Sequence, residues 1–138
     1  MTQSVCRALC VVVLMAVTAG CAQSDREAAA QAAAQAWLAE VDAGRYDSSW
    51  AGAAELFKRQ VSARQWRNAM ERTREPLGNV TSRHIKNAAY TTSLPGVPDG
   101  EYVVLQFDTV FANKASAVET VTPMLDGGQW RVSGYFIK

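Results

Sequence analysis

The segment YVVLQFDTVF, residues 102–111, alternates between large apolar and more polar side chains. Four bulky apolar side chains share one face: Val103, Leu105, Phe107 and Phe111. The opposite face carries Tyr102, Gln106 and Asp108. A period of two residues is that of a β-strand. The segment therefore predicts a strand with one face on a core and one partly polar face, as antiparallel sheets commonly have.

The sequence on either side of this segment repeats the pattern. Strands are predicted at residues 80–91, 102–112, 117–125 and 130–137. The turn-forming segments LPGVPDG, ANKAS and LDGG separate them. Pro123 falls late in the third strand and cannot donate a ladder hydrogen bond, so it predicts a strand end, a bulge or an edge position.

Upstream of Gly78 the apolar period is that of helices. A first helix is predicted from about Asp25 to Ala43, with Ser24 and Glu27 as a capping box and Gly44 ending it. Its apolar positions share one face: Ala30, Ala34, Trp37, Leu38 and Val41. The large side chains all lie in the second half, so the first half is predicted to be a semi-rigid spacer.

Two shorter helices complete the predicted helical part. Asp47 is expected to cap a second helix that extends through Phe57. Ser62 and Gln65 form another capping-box pattern, which opens a third helix that Pro76 and Gly78 close. About three N-terminal helices packed on a four-stranded antiparallel sheet make an α+β domain.

The N-terminal segment is typical of an export signal. Residues 8–19 contain no charge and would span about 18 Å as a helix, well short of the roughly 30 Å hydrocarbon core. A cleavable leader fits this length better than a membrane-spanning anchor. The leader also contains Arg7, so the remaining chain has 13 basic and 13 acidic residues and no net charge.

The end of this leader, VTAGC at residues 17–21, resembles a bacterial lipobox. The resemblance implies cleavage between Gly20 and Cys21 and lipidation of Cys21; the alternative is an ordinary signal peptide that leaves a free thiol. The predicted organisation is a signal peptide at 1–20, a lipidated tether at 21–24 and one domain at 25–138. Residue 22, directly after the cysteine, is Ala and not Asp. In Gram-negative lipoproteins this resemblance implies export to the outer membrane, facing the periplasm, instead of retention at the inner membrane.

Composition and spacing exclude several classes of function. The processed chain would keep one cysteine, which rules out an internal disulfide and a cysteine-rich metal site. A basic stripe interleaved with aromatic residues is absent from the sequence, so nucleic-acid binding is not expected. The sequence has no glycine-rich phosphate loop, metal-ligand cluster or nucleophile elbow, and no cofactor is predicted.

Several short motifs occur in order along residues 30–138, among them WLAEVDAGRYDSSW, VSARQW, REPLG, PGVPDGEYVVLQFDTVFANK, ETVT and WRVSGYFI. Together they resemble the bacterial family catalogued as domain of unknown function 4019 (DUF4019), whose members are small exported proteins or lipoproteins. The order of elements is also similar to the NTF2-like or cystatin-like architecture, a curved sheet around a long first helix. The resemblance implies a fold and a compartment but no activity.

NTF2-like enzymes such as ketosteroid isomerases and scytalone dehydratases use Asp or His with Tyr between helix and sheet. In this chain the candidates of that kind are His84, the single histidine, and Asp108. Ile85 is expected to point to the core, which would leave His84 on the wetter face, and Asp108 is also a candidate cross-strand charge partner. The aromatic residues Trp37, Tyr46, Trp50 and Trp66 are candidates for an apolar pocket, although such residues more commonly form core.

These observations favour a lipid-anchored envelope protein that is not an enzyme and binds a protein partner or a small apolar ligand. One alternative is an isomerase or dehydratase with an acid or base in a pocket. Another is an assembly module that forms a homodimer through the exposed face of its sheet. A deep pocket with a desolvated acid would favour the enzyme, whereas a filled interior and an apolar outer sheet face would favour association.

Overall fold

A computed structural model describes residues 18–138, and its helices precede its strands. The helices are α1 (Thr18–Asp42), α2 (Tyr46–Ala51), α3 (Glu55–Gln60) and α4 (Ala63–Thr73), followed by a 3-10 turn at Glu75–Leu77. The strands are β1 (Val80–Thr91), β2 (Tyr102–Phe111), β3 (Lys114–Asp126) and β4 (Gln129–Ile137). Helices packed on an antiparallel sheet confirm the predicted α+β class.

The four strands form a meander in the order β1-β2-β3-β4, with every neighbouring pair antiparallel. All eight strand ends lie within three residues of the predicted ones. Pro123 lies where the register of β3 against β4 shifts, between Thr122 and Pro123. Of the three predicted possibilities, the bulge is the one observed, and it removes the need for a ladder donor at a residue that has no N–H.

The first helix differs from the prediction, because α1 is already helical at Thr18, the first described residue, instead of starting near Asp25. The Ser24 hydroxyl donates to the Cys21 carbonyl oxygen at 2.8 Å, the bond that a serine makes to the preceding turn inside a helix. Ser24 and Glu27 therefore do not form a capping box. The predicted helix end is confirmed: Gly44 has φ +71°, and the Arg45 N–H donates to the Glu40 carbonyl at 2.9 Å.

Where the sequence predicts a single second helix, the structure has two, α2 and α3. Ala54 between them is extended, and its N–H donates to the Val132 carbonyl on β4 at 2.8 Å, so the chain leaves the helix to bond the sheet. Asp47 does not cap a helix but lies in the first turn of α2, after the N-cap residue Arg45. The Ser62 capping box at the start of α4 is confirmed.

The core lies between α1 and the inner face of the sheet. The predicted α1 face is buried throughout, from Ala30 to Val41. The inward face of β2 is buried as predicted, and Tyr102 on the outer face is buried too, because its hydroxyl donates to Pro98 O of the overlying loop at 2.6 Å. Ile85 is 43% exposed, so its expected core position is wrong: it pairs with Phe107 on the helix-facing side, but on an edge strand that leaves it uncovered.

Candidate functional site

Four charged side chains meet beside the C-terminal end of α1. Asp42 ends α1, Arg74 follows α4, Arg83 is the fourth residue of β1, and Glu119 lies in the middle of β3. Each side chain is at least three-quarters buried, and Glu119 is fully buried. We call these residues, with Thr109 and Tyr135, the buried charge network.

Arg83 joins the two carboxylates of the network. Its two terminal nitrogens donate to the Asp42 carboxylate at 2.6 and 3.0 Å, and its Nε donates to Glu119 Oε1 at 2.7 Å. Glu119 also accepts hydrogen bonds from the Thr109 hydroxyl at 2.6 Å and from the Tyr135 hydroxyl. The protein itself thus supplies three donors to this buried carboxylate, as a charge removed from water requires.

Arg74 is the second cation of the network and is 3% exposed. It donates from Nη1 to the Gly78 carbonyl at 2.7 Å and from Nη2 to Asp42 at 3.0 Å. Its guanidinium carbon lies 4.5 Å from the centroid of the Phe111 ring, a cation–π contact. Its Nε is buried, and none of the described residues, 18–138, accepts a hydrogen bond from it.

The two carboxylates and two guanidinium groups balance in charge, and this balance governs their titration. Burial alone would raise the pKa of Asp42, but the hydrogen bonds and charges of Arg83 and Arg74 outweigh it and lower the pKa. Burial likewise disfavours the charge on Arg83, but the hydrogen bonds that it donates to Asp42 and Glu119 hold its pKa above the usual value. Burial and the charge of Glu119 raise the pKa of Tyr135, so its hydroxyl remains a donor.

The lowered pKa of Asp42 predicts a loss of stability in acid. A carboxyl whose pKa is lower in the folded state stabilises the fold above its ordinary pKa of 3.8, and this stabilisation is lost as the pH falls through the lower native value. We expect Asp42→Asn to be less stable than the wild type at pH 7 and to lose less further stability between pH 5 and pH 3. Urea unfolding at these pH values measures both quantities. The same acid-dependent loss in both proteins would contradict the prediction.

An aromatic cluster fills the space beside the network. Trp37 and Trp66 are 5.6 Å apart between ring centroids, and Tyr135 lies 5.3 Å from Trp37 and 6.1 Å from Trp66. The indole nitrogens of the two tryptophans donate to Ser49, at its carbonyl and its hydroxyl. Trp37 and Trp66 are therefore buried core residues and do not line an open pocket.

The other four candidates from the sequence do not converge on one cavity. Tyr46 lines a shallow surface groove of about 470 Å³, together with charged residues of α2 and α4. Trp50 is half-buried, and its indole nitrogen donates to the Val61 carbonyl at 2.7 Å. His84 and Asp108 are exposed and face each other across β1 and β2, and Asp108 pairs with Lys86 at 3.1 Å. Asp108 is thus a cross-strand charge partner.

Comparison with known families supplies the decisive observation. The model of a family described as a protein of unknown function, DUF4019, matches residues 33–135, most of the chain.

The chain belongs to the DUF4019 family.

No curated protein and no solved structure matches it. The matched region of this DUF4019 chain contains the whole buried charge network, whereas Cys21 precedes it. Within residues 18–138, no group of three or more His, Cys, Asp or Glu side chains is arranged to hold a metal ion. Over the same range, none of the helices is both long enough and apolar enough to traverse a bilayer.

The geometry limits what the network of this DUF4019 chain can do. A general acid or base needs hydrogen-bond reach to its substrate. Glu119 is fully buried and its oxygens accept from three protein donors, and both oxygens of Asp42 accept from arginines. The arrangement is suited to fastening α1 to the strands.

Proposed function

We propose that this DUF4019 chain is a lipid-anchored envelope protein that binds a protein partner through the outer face of its sheet and does not catalyse a reaction. The single observation that carries the proposal is a contrast between two sides of the sheet. The inner side is packed against α1 by a filled core, whereas no described helix covers the outer side. An uncovered sheet face with apolar side chains is typical of an association surface.

The outer face carries its apolar groups near the β4 edge of the sheet. Phe136 is 53% exposed and pairs with Thr120, while Val118 and Met124 of β3 are half-buried. Polar residues share this face, and Asp108 pairs there with Lys86. An apolar centre with a polar surround is the usual composition of a protein–protein interface.

The filled interior gives less support to the other functions. A small apolar ligand would need a cavity where Trp37, Trp66 and Tyr135 pack, and an isomerase or dehydratase would need access to a buried acid. The long α1 against an antiparallel meander supports assignment to the NTF2-like or cystatin-like architecture. The leader and lipobox pattern support anchoring through lipid on Cys21, on the periplasmic side of the outer membrane.

Site-specific photo-cross-linking in the producing cells tests the association. A benzophenone amino acid in place of Phe136 is expected to give a discrete protein adduct, because this side chain is exposed on the proposed interface. The matched control is the same replacement at Ala36, which is exposed on α1 away from the sheet. An adduct of twice the chain mass would identify the partner as a second copy. No adduct, or equal adducts at both positions, would overturn the proposal.

A further inference from the structure

Helix α1 continues without interruption from Cys21 into the core, and the prediction that its first half is a semi-rigid spacer is wrong. The Glu27 carboxylate accepts the Tyr90 N–H at 3.2 Å, and the Arg26 guanidinium lies 5.2 Å from the centroid of the Tyr90 ring. Arg26 Nε is also 3.4 Å from the Glu101 carboxylate. Ala30, one turn further along, is fully buried. The chain is therefore fastened to the sheet within five or six residues of Cys21.

These contacts fix which end of the domain lies near Cys21. Glu27 lies beside Tyr90 near the end of β1, whereas Asp42 lies beside Arg83 near its start, so α1 runs antiparallel to β1. At 1.5 Å per residue, Cys21 lies about 9 Å beyond Glu27 along the helix axis. Strand β1 ends at Thr91, one residue beyond Tyr90. The loop at residues 92–100 therefore leaves the sheet at the same end as Cys21.

This loop is uncharged over most of its length and holds a defined shape. Residues 92–98, TSLPGVP, contain no charged side chain. Gly96 has φ +78° after Pro95, the backbone of a tight turn, and the half-buried residues Leu94 and Val97 flank it. The Gly100 N–H donates to the Thr92 carbonyl at 3.0 Å, and the Tyr102 hydroxyl donates to the Pro98 carbonyl at 2.6 Å. Because the loop is preformed, little conformational entropy opposes its binding.

We propose that the loop at residues 92–100 contacts the lipid headgroup region when Cys21 carries acyl chains, so that the domain holds one orientation on the membrane. This inference rests on the proposed lipid anchor. Anchoring makes the loop contact intramolecular, and a weak affinity of Leu94 and Val97 for the interface then suffices. Because α1 is bound to the sheet within six residues of Cys21, the loop cannot move far from the membrane surface. The groove beside Tyr46 faces away from the membrane in this orientation.

The charge at the Cys21 end of the domain favours one class of lipid headgroup. Asp25 and Asp99 are exposed residues. Glu101 is also acidic, and it pairs with Arg26. Net negative charge near the surface is repelled by anionic headgroups over about a Debye length. The loop therefore contacts a zwitterionic surface more closely than an anionic one.

Fluorescence of the lipidated protein in vesicles tests the proposal. The acyl chains occupy the thiol of Cys21, so a single added cysteine can be labelled. Ser93→Cys is labelled with an environment-sensitive dye in the loop, and Ser116→Cys is the matched control on β3. Both residues are exposed, and the two ends of the sheet are about 30 Å apart, from the ten residues of β2.

The dye at residue 93 is expected to shift to the blue and to be quenched by spin-labelled phosphatidylcholine, while the dye at residue 116 is unaffected. Leu94→Ser with Val97→Ser should abolish the quenching, and phosphatidylglycerol in the vesicles should weaken it. If the protein floats with the vesicles but residue 93 is not quenched, or both positions are quenched equally, the inference is overturned and the anchor stands. If the purified protein lacks acyl mass and does not float, the anchor and the inference both fail.

Discussion

Glu119→Leu is expected to lower the free energy of unfolding by about 3–5 kcal/mol, the usual cost of removing one partner from a buried ion pair. The substitution takes away the carboxylate that accepts from Arg83, Thr109 and Tyr135. The Thr109 and Tyr135 hydroxyls are then left without this acceptor, and Arg83 keeps only Asp42. Urea unfolding of the purified domain at pH 7, followed by tryptophan fluorescence, measures the loss.

Two further variants separate the network from a general effect of mutation. Arg83→Met combined with Glu119→Leu should lower the free energy of unfolding by less than the sum of the two single changes. The double variant removes one positive and one negative charge together, and Asp42 still pairs with Arg74. Asp108→Leu breaks the exposed pair with Lys86 and should cost less than about 1 kcal/mol. A Glu119→Leu variant as stable as Asp108→Leu, or fully additive losses, would contradict the role given to the network.

The network also specifies the pairing of the strands. Arg83 lies opposite Thr109 on β2, and Glu119 lies opposite Phe107, so the network residues of β1, β2 and β3 meet only in this register. A slip of one residue in β3 would turn Glu119 to the outer face and leave Arg83 without its second carboxylate. The hypothesis that buried charges select one arrangement therefore fits this fold.

The sheet was predictable because its signals are local. Alternation of apolar side chains and the turn segments with glycine and proline locate each strand from a few neighbouring residues. The Ser62 capping box has the same local character, since its two hydrogen bonds span three residues. The start of α1 was not predictable in this way, because the Ser24 motif is equally compatible with the interior of a longer helix.

The candidate site was not predictable, because it depends on contacts between residues that lie far apart in the sequence. Asp42 and Glu119 are 77 positions apart, and Arg83 joins them only once the strand register is known. A local signal existed: Glu119 occupies an inward position between Ala117 and Val121, where an unpaired charge would be costly. The same limit applies to Trp37 and Trp66. Their spacing is more common in a core but is also compatible with a pocket, and their distances to Tyr135 distinguish the two.

Cys21→Ser is expected to remove the protein from the membrane fraction completely, because serine has no thiol to acylate. Two or three acyl chains, at about 0.8 kcal/mol per buried CH₂, bind a small domain to a bilayer stably, whereas no helix within residues 18–138 is both long enough and apolar enough to cross one. Cells that produce wild-type or variant protein are fractionated and probed with an antibody, and mass spectrometry determines the N-terminus. The matched control is Cys10→Ser, which changes a cysteine within the predicted leader and should leave anchoring intact. Retention of the Cys21 variant in the membrane, with normal processing, would refute lipidation at this residue. Loss of both the Cys21 and the Cys10 variants from the membrane fraction would instead indicate a general failure of export.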